Sequence, residues 1–378
     1  MAFLRSSELA PPILPAHTGK VVRHFTPNWF AVTMGTGILS VALAQFPAVP
    51  ALFQIGQALW LLNIALFAAC SVLYATRWML YPAESARIFR HPVASMFFGC
   101  IPMGLATIIN GFLIYGRLHA PYAAVEIAML LWWLDVALSV ACGLAIPFVM
   151  FTRQSHGLES MTGVWLLPIV ACEVACVSGA LLIPHLADSN AQISVLIVSV
   201  ILWGCSVPLA MGILAILFMR LVLHKLPPVG MAATSWLALG PIGTGALGLF
   251  VISQNAPTVF VAHGLGAVAD GVAGASLLAG MLLWGYGMWW LAMAVMITLR
   301  YLREGIPFNM GWWGFTFPLG VYAIATARLS DILHFAPIAD LAAVLVAALA
   351  FIWLLVATLT VRGICDRSAF VAPCLAAD

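Results

Sequence analysis

The chain has 378 residues, of which 64% are hydrophobic and 7% charged, with a formal net charge of +2 and a mean hydropathy of +1.08; an ordinary soluble domain carries about 25% charged residues. This composition excludes a soluble globular protein and leaves no segment polar enough to solvate a separate domain, so the chain reads as one polytopic membrane domain. Its eight cysteines lack metal or redox spacing, Cys172 and Cys176 being the one close pair, and read as buried apolar residues.

Residues 1–26 hold Arg5, Glu8, Lys20, Arg23 and several prolines, with no apolar run and no cleavage site, which predicts a disordered N-terminal tail rather than a signal peptide. About 20 apolar residues cross a hydrocarbon core of about 30 Å. That length predicts spans over 27–45, 51–76, 93–115, 121–151, 161–183, 191–223, 231–252, 271–299, 311–329 and 338–361, a membrane domain of 27–362 and a second tail of 363–378. Ten spans put both termini on one side. Sorting the connecting loops then gives 13 of the 15 Lys and Arg on the terminal side, Arg117 and Arg328 alone lying opposite. By the positive-inside rule the termini are cytoplasmic, in a plasma (inner) membrane. Because topology accounts for the basic residues, no nucleic-acid partner is expected.

Alternate spans share a pattern of aromatic, four residues, proline, one residue, glycine: Phe97, Pro102, Gly104; Trp236, Pro241, Gly243; Trp313, Pro318, Gly320. The first span keeps the register as Phe30, Gly35, Gly37, and the fifth keeps Pro168 with Gly163 in the aromatic place. The chain therefore reads as five helical hairpins, each pairing a kinked inner helix with a straighter outer one. Each proline removes a donor and frees a carbonyl four residues earlier, here Phe98, Leu237 and Gly314. Irregular backbone at membrane depth is tolerated where it is buried in protein or lines a wet cavity, so five kinked helices around a central pathway are expected. With no Lys or Arg at mid-membrane, positive potential there comes from half-helix N-termini, and Thr33, Thr36, Thr107, Thr244 and Thr316 either add hydroxyl donors or bond carbonyls of their own helices.

Three acids fall within spans, Glu126 and Asp135, nine residues apart and therefore on opposite helix faces, and Glu173, while Asp270 lies at the start of the eighth. A carboxyl in a span is a functional candidate, and Glu173, five residues after Pro168 on an inner helix, reads either as a proton-coupling group or as a structural partner of a neighbouring helix. His91 and Arg328 read as mouth residues. No metal motif, nucleophile elbow or cofactor signature occurs, so neither an enzyme nor a metal site is expected.

The segments HFTPNWFAVTMGTGILS, HPVASMFFGCIPMGLATIING, VWLLPIVACEVACVSG, SWLALGPIGTGALG and FNMGWWGFTFPLGVYAIATARL together resemble the tellurite-resistance/C4-dicarboxylate transporter family, which includes slow anion channels, malate permeases and sulfite exporters, over about residues 24–362. The resemblance implies a ten-helix subunit around its own pore, assembled as a homotrimer in the lipid bilayer and passing small anions. It also implies a phenylalanine on the ninth helix that occludes the pore, and TFP places it at Phe317. The residue before a proline is pushed off helical dihedrals, which lets a ring turn inward there. Phe97 and Phe98 are candidates for a second constriction; Gly35, Gly37, Pro102, Gly104, Pro168, Pro241, Gly243, Pro318 and Gly320 mark the kinks. C4-dicarboxylates such as malate are the first expected substrates, with sulfite efflux or chloride and nitrate conduction as the alternatives; the absence of a visible bidentate Arg clamp weighs against a dicarboxylate.

Overall fold

A computed structural model describes residues 21–375. Among them the chain is all-α, without a strand. Its ten long helices are α1 (Phe30–Leu43), α2 (Pro50–Leu80), α3 (Cys100–Ile114), α4 (Pro121–Arg153), α5 (Leu167–Leu182), α6 (Ser189–His224), α7 (Leu239–Ala262), α8 (Gly266–Leu302), α9 (Thr316–Leu333) and α10 (Ala336–Cys365). Eight helical segments are long and apolar enough to cross a membrane. The other two are α1, with 14 residues, and α9, which carries Arg328 and Asp331. Both are walled mostly by protein rather than lipid, which relaxes the demand for apolar length.

Each odd helix packs on the even helix that follows it, giving five hairpins, and also on the next odd helix: α1 on α3, α3 on α5, α5 on α7, α7 on α9, and α9 back on α1. The odd helices thus close a ring. Burial confirms which layer is inside, since the apolar windows that include α5 and α7 are 94% buried while those of α2 and α8 are 17% and 11% buried. The exposed residues of the even helices, such as Leu61, Phe148, Ile201, Leu282 and Phe351, are large and apolar, the composition of a lipid-facing surface.

Even helices carry a repeat of their own that periodicity did not reveal. One indole N–H on each bonds across to the next inner helix: Trp60 of α2 to the Ile108 carbonyl (3.1 Å), Trp132 of α4 to Ala175 (2.8 Å), Trp203 of α6 to Gly245 (3.0 Å), Trp284 of α8 to the Thr326 hydroxyl (2.9 Å) and Trp353 of α10 to the Thr36 hydroxyl (3.1 Å). Five bonds tie every hairpin to its successor, the last closing the circle. In a lipid setting such a bond contributes about 1 kcal/mol. Trp353→Phe is expected to lower the thermal midpoint of the purified protein by an amount that Thr36→Val nearly reproduces and the double variant barely exceeds; full additivity of the two losses would show that the pair is not coupled.

The expected mid-helix kinks are instead entrances. Short 3-10 turns (Pro27–Trp29, Ala94–Gly99, Gly163–Leu166, Val229–Ser235, Met310–Phe315) precede α1, α3, α5, α7 and α9, and Pro102, Pro168, Pro241 and Pro318 sit in the first turn of the α-helix that follows. In that turn a missing N–H leaves no ladder bond unmade, so proline is tolerated without a kink. The carbonyl expected to be free at Leu237 accepts from the Gly240 N–H at 3.0 Å. Gly35 and Gly37, which retain their N–H groups, lie inside an unbroken α1. The motif tryptophans are fasteners within their own hairpins: Trp236 donates to Thr298 of α8 at 2.8 Å and Trp313 to Thr360 of α10 at 3.1 Å.

The disorder expected of the N-terminal tail concerns mostly residues outside the described range; residues 21–26 pack on the body. The buried Arg77 donates from Nη1 to the Phe25 carbonyl at 2.7 Å and from Nη2 to Cys374 Sγ at 3.6 Å, so one guanidinium holds both ends of the described chain. Arg23 grips Glu84 through two bonds of 2.7 and 2.8 Å, which holds the Glu84 carboxyl below its ordinary range and raises Arg23. Phe25, Trp29 and Phe370 stack in series, and the segment after α10 folds back over this face. Arg220, also buried, donates to the Glu159 and Lys225 carbonyls. Three of the basic residues assigned to the terminal side by charge counting therefore also pin its loops and chain ends.

Candidate functional site

Two cavities lie within the ring. The one on the face that carries the chain ends has a volume of about 420 Å³ and is walled by the 3-10 turns and first helical turns, among them Asn28, Met34, Phe97, Leu167, Thr234 and Asn309, with Ser368, Ala369, Val371 and Pro373 of the folded-back C-terminal segment. The far-side cavity has a volume of about 210 Å³ and is walled by residues further along the same five helices, starting in the first turn of α9 at Phe317. All five odd helices run in one direction, so their N-termini, the positive ends of their dipoles, converge on the larger cavity.

Phe317 lines the far-side cavity at its inner end and is only 2% exposed. On α3, α5 and α7 the last residue facing one cavity and the first facing the other are about two turns apart (Cys100 and Thr107, Leu167 and Val174, Leu237 and Thr244); toward α9 they are Gly314 and Phe317. Phe317 is thus the first residue of α9 on the far-side wall, three residues after Gly314, the last on the terminal-side wall. Beyond it Val321, Ile324 and Arg328 continue one face of α9 along the far-side cavity.

The remaining sequence candidates separate into two sets. Phe97 lines the terminal-side cavity, whereas Phe98 stacks on Phe89 at 5.0 Å and meets Tyr74 edge-on, so it packs away from both cavities. Gly35, Gly37, Gly104, Gly243 and Gly320, like Pro102, Pro168, Pro241 and Pro318, are on neither cavity wall. The glycines sit where inner helices touch: Gly37 against Thr107, Gly104 against Thr33, and Gly243 against the backbone of Tyr322. They permit the close ring that forms the cavities, as small residues do between membrane helices. Of the five threonines, Thr33, Thr107 and Thr316 bond carbonyls of their own chain segment at 2.7 Å, and Thr36 accepts from Trp353. Thr244 alone lines the far-side cavity with a buried, unbonded hydroxyl.

Charge on the walls has one sign. Among the described residues no carboxylate lines either cavity, and the far-side cavity presents Arg328 and His185. The model of the voltage-dependent anion channel family matches residues 24–361. The chain belongs to this family. It is 37% identical to a sulfite efflux pump of Arthroderma otae over 355 residues, covering 92% of this chain and 93% of the other. An uncharacterized transporter of Methanocaldococcus jannaschii is 30% identical over 352 residues (92% and 97%), and a malic acid transport protein of Schizosaccharomyces pombe 25% over 358 residues (90% and 79%). Members of the voltage-dependent anion channel family are transporters and channels, in agreement with the resemblance drawn from the five inner segments.

In this member the span acids lie on neither cavity wall. Glu126 and Asp270 are exposed, while Asp135 and Glu173 are fully buried with no hydrogen bond to any carboxyl oxygen. Glu173 faces neither cavity; Ser206 of α6, its polar neighbour, gives its own hydrogen bond to the Ile169 carbonyl at 2.8 Å. Asp135 and Ser139 on α4, and Ser199 and Ser206 on α6, are likewise buried, which makes a polar seam beside α5 rather than a pore lining. Not all the cysteines are buried as expected: Cys205 and Cys365 are exposed on the outer helices. His91 acts as a cap, its Nδ1 accepting from the N–H groups of Val93 and Ala94, and burial lowers its pKa.

Proposed function

We propose that this chain is a plasma-membrane transporter that passes small oxyanions along the axis of its helix ring, with Phe317 closing the path between the two cavities. The observation that carries this reading is a pair of cavities walled by the same five helices, with no carboxylate on either wall among the described residues and Phe317 at the inner end of one of them. A hydrophobic ring blocks an anion sterically and by excluding its water. Sulfite is the substrate in the first reading, supported by the 37% identity to a sulfite efflux pump over nearly the whole chain and by a far-side cavity with one guanidinium, Arg328, on its wall. A C4-dicarboxylate such as malate is the second, supported by the resemblance to the malic acid transport protein and by a second basic residue, Arg117, held behind His185. In either reading the terminal face is cytoplasmic, because it gathers the basic loops, and the subunits assemble as trimers.

The test is anion flux into proteoliposomes loaded against sulfite, malate, nitrate and chloride in turn. Flux above that of empty vesicles, with one of the first two leading, is expected; no flux of any anion would sink the reading. Glu173→Gln is expected to leave both the rate and its pH dependence unchanged, since the carboxyl reaches neither cavity. A flattened pH profile in that variant would instead restore Glu173 as a proton-coupling group.

A further inference from the structure

The far-side cavity contains an anion-ready group that the closure at Phe317 does not explain. Arg328 lies 11 residues beyond Phe317 on the same face of α9, about 16 Å further along the axis. Its Nε is buried without a hydrogen-bond partner, and no carboxylate pairs with the side chain; Asp331, the nearest acid on α9, is exposed. The residue is half-buried, and its unpartnered Nε is a donor that an anion in the cavity would satisfy. Across the same cavity stands His185, whose Nε2 is 3.1 Å from Arg117 Nη1. Arginine only donates, so Nε2 accepts, and the imidazole is neutral with its proton on Nδ1, which no described residue accepts. Thr244, deeper in the cavity, adds a buried hydroxyl without a partner.

We propose that Arg328, with the Thr244 hydroxyl, forms a binding site for one compact, singly charged oxyanion on the far side of Phe317. The inference rests on the transport reading for its purpose, though not for its chemistry. One guanidinium with a neutral donor matches one negative charge. A dianion with two separated carboxylates needs a second cation, and Arg117 is already engaged. Hydrogen sulfite and formate meet the requirement; malate at neutral pH does not.

The site is tested by binding and by flux on the full-length protein. In detergent near neutral pH, sulfite and formate are expected to raise the thermal midpoint of wild type, as any ligand of the folded state does, with malate giving a smaller rise. Arg328→Gln is expected to remove the rise, Arg328→Lys to keep most of it, and Thr244→Val to weaken it; each unliganded midpoint controls for folding. In vesicles Arg328→Gln is expected to raise the half-saturating sulfite concentration about tenfold, the loss of one charge-assisted contact. An equal rise in wild type and Arg328→Gln, no rise in wild type, or a larger rise with malate overturns the site. A rise that needs Arg328, in a protein that passes no anion, overturns the transport reading and leaves the site standing.

Discussion

Phe317→Ala is expected to raise anion current across a planar bilayer by about tenfold or more, with the order of the anions unchanged. Removing about 1.4 kcal/mol from a barrier already gives a tenfold rate, and an aromatic ring that closed the path between the two cavities would impose more than that on a hydrated anion. The alternative account of Phe317 is ordinary packing. In that case truncation costs about 3–5 kcal/mol of stability and leaves flux unchanged. The two accounts part on two readings: a raised current with a small loss of thermal midpoint supports closure by the ring, whereas a large loss of midpoint with wild-type current assigns Phe317 to the core. The next aromatic to examine is then Phe97, which lines the larger cavity, rather than Phe98, which is stacked against Phe89.

Gly99→Ala is expected to cost more stability than any other alanine substitution discussed here. A Cβ built at Gly99 falls 2.1 Å from the carbonyl oxygen of Leu167, a backbone atom that moves only if the entrance of α5 moves with it. Overpacking commonly costs about 1–3 kcal/mol, and a backbone collision belongs at or beyond the upper end. Gly212→Ala is the control, because nothing lies within 4 Å of the added atom, on a helix where alanine is favoured over glycine by about 1 kcal/mol. Purified Gly99→Ala is expected to unfold well below wild type or fail to give a monodisperse peak, while Gly212→Ala matches or exceeds wild type. Equal midpoints for the two variants would contradict the close approach of α3 and α5 through their entrance turns.

Much of the architecture was legible because membrane folding is governed by length, charge and period, all visible in one dimension. The ten apolar runs and the alternation of inner and outer helices each follow from a rule that needs no neighbour. The family resemblance, with the proline that follows, singled out Phe317, and that residue lines the far-side cavity. What a residue touches was less legible. Pro102, Pro241 and Pro318 looked like mid-helix breaks because the residues before them are as apolar as those after; only the backbone shows that a 3-10 turn ends there. The glycines of the same motif were placed beside a path when they serve helix contacts, because a small residue suits both. Trp60, Trp132, Trp203, Trp284 and Trp353 went unnoticed as a set: they occupy different positions along their helices, and their acceptors are mostly backbone carbonyls, which every residue owns. Arg328 was visible as a residue at a helix end, but its lack of a partner is a property of the space around it.

A channel assembled from identical subunits around its pore must present every side chain as many times as it has subunits, so a lone charge or a lone bulky plug on the axis is beyond its reach. Here the whole circle is drawn by one polypeptide, closed by the bond from Trp353 to Thr36, and its staves are near-equivalent in backbone yet free to differ in composition. Sequence change can therefore adjust the obstruction on one stave and the charge on the same or another without multiplying either. Diameter, set by glycine contacts between staves, and selectivity, set by one or two protruding groups, become separately variable. A single ring design of this kind can be retuned from one anion to another by changing a few side chains and no helix.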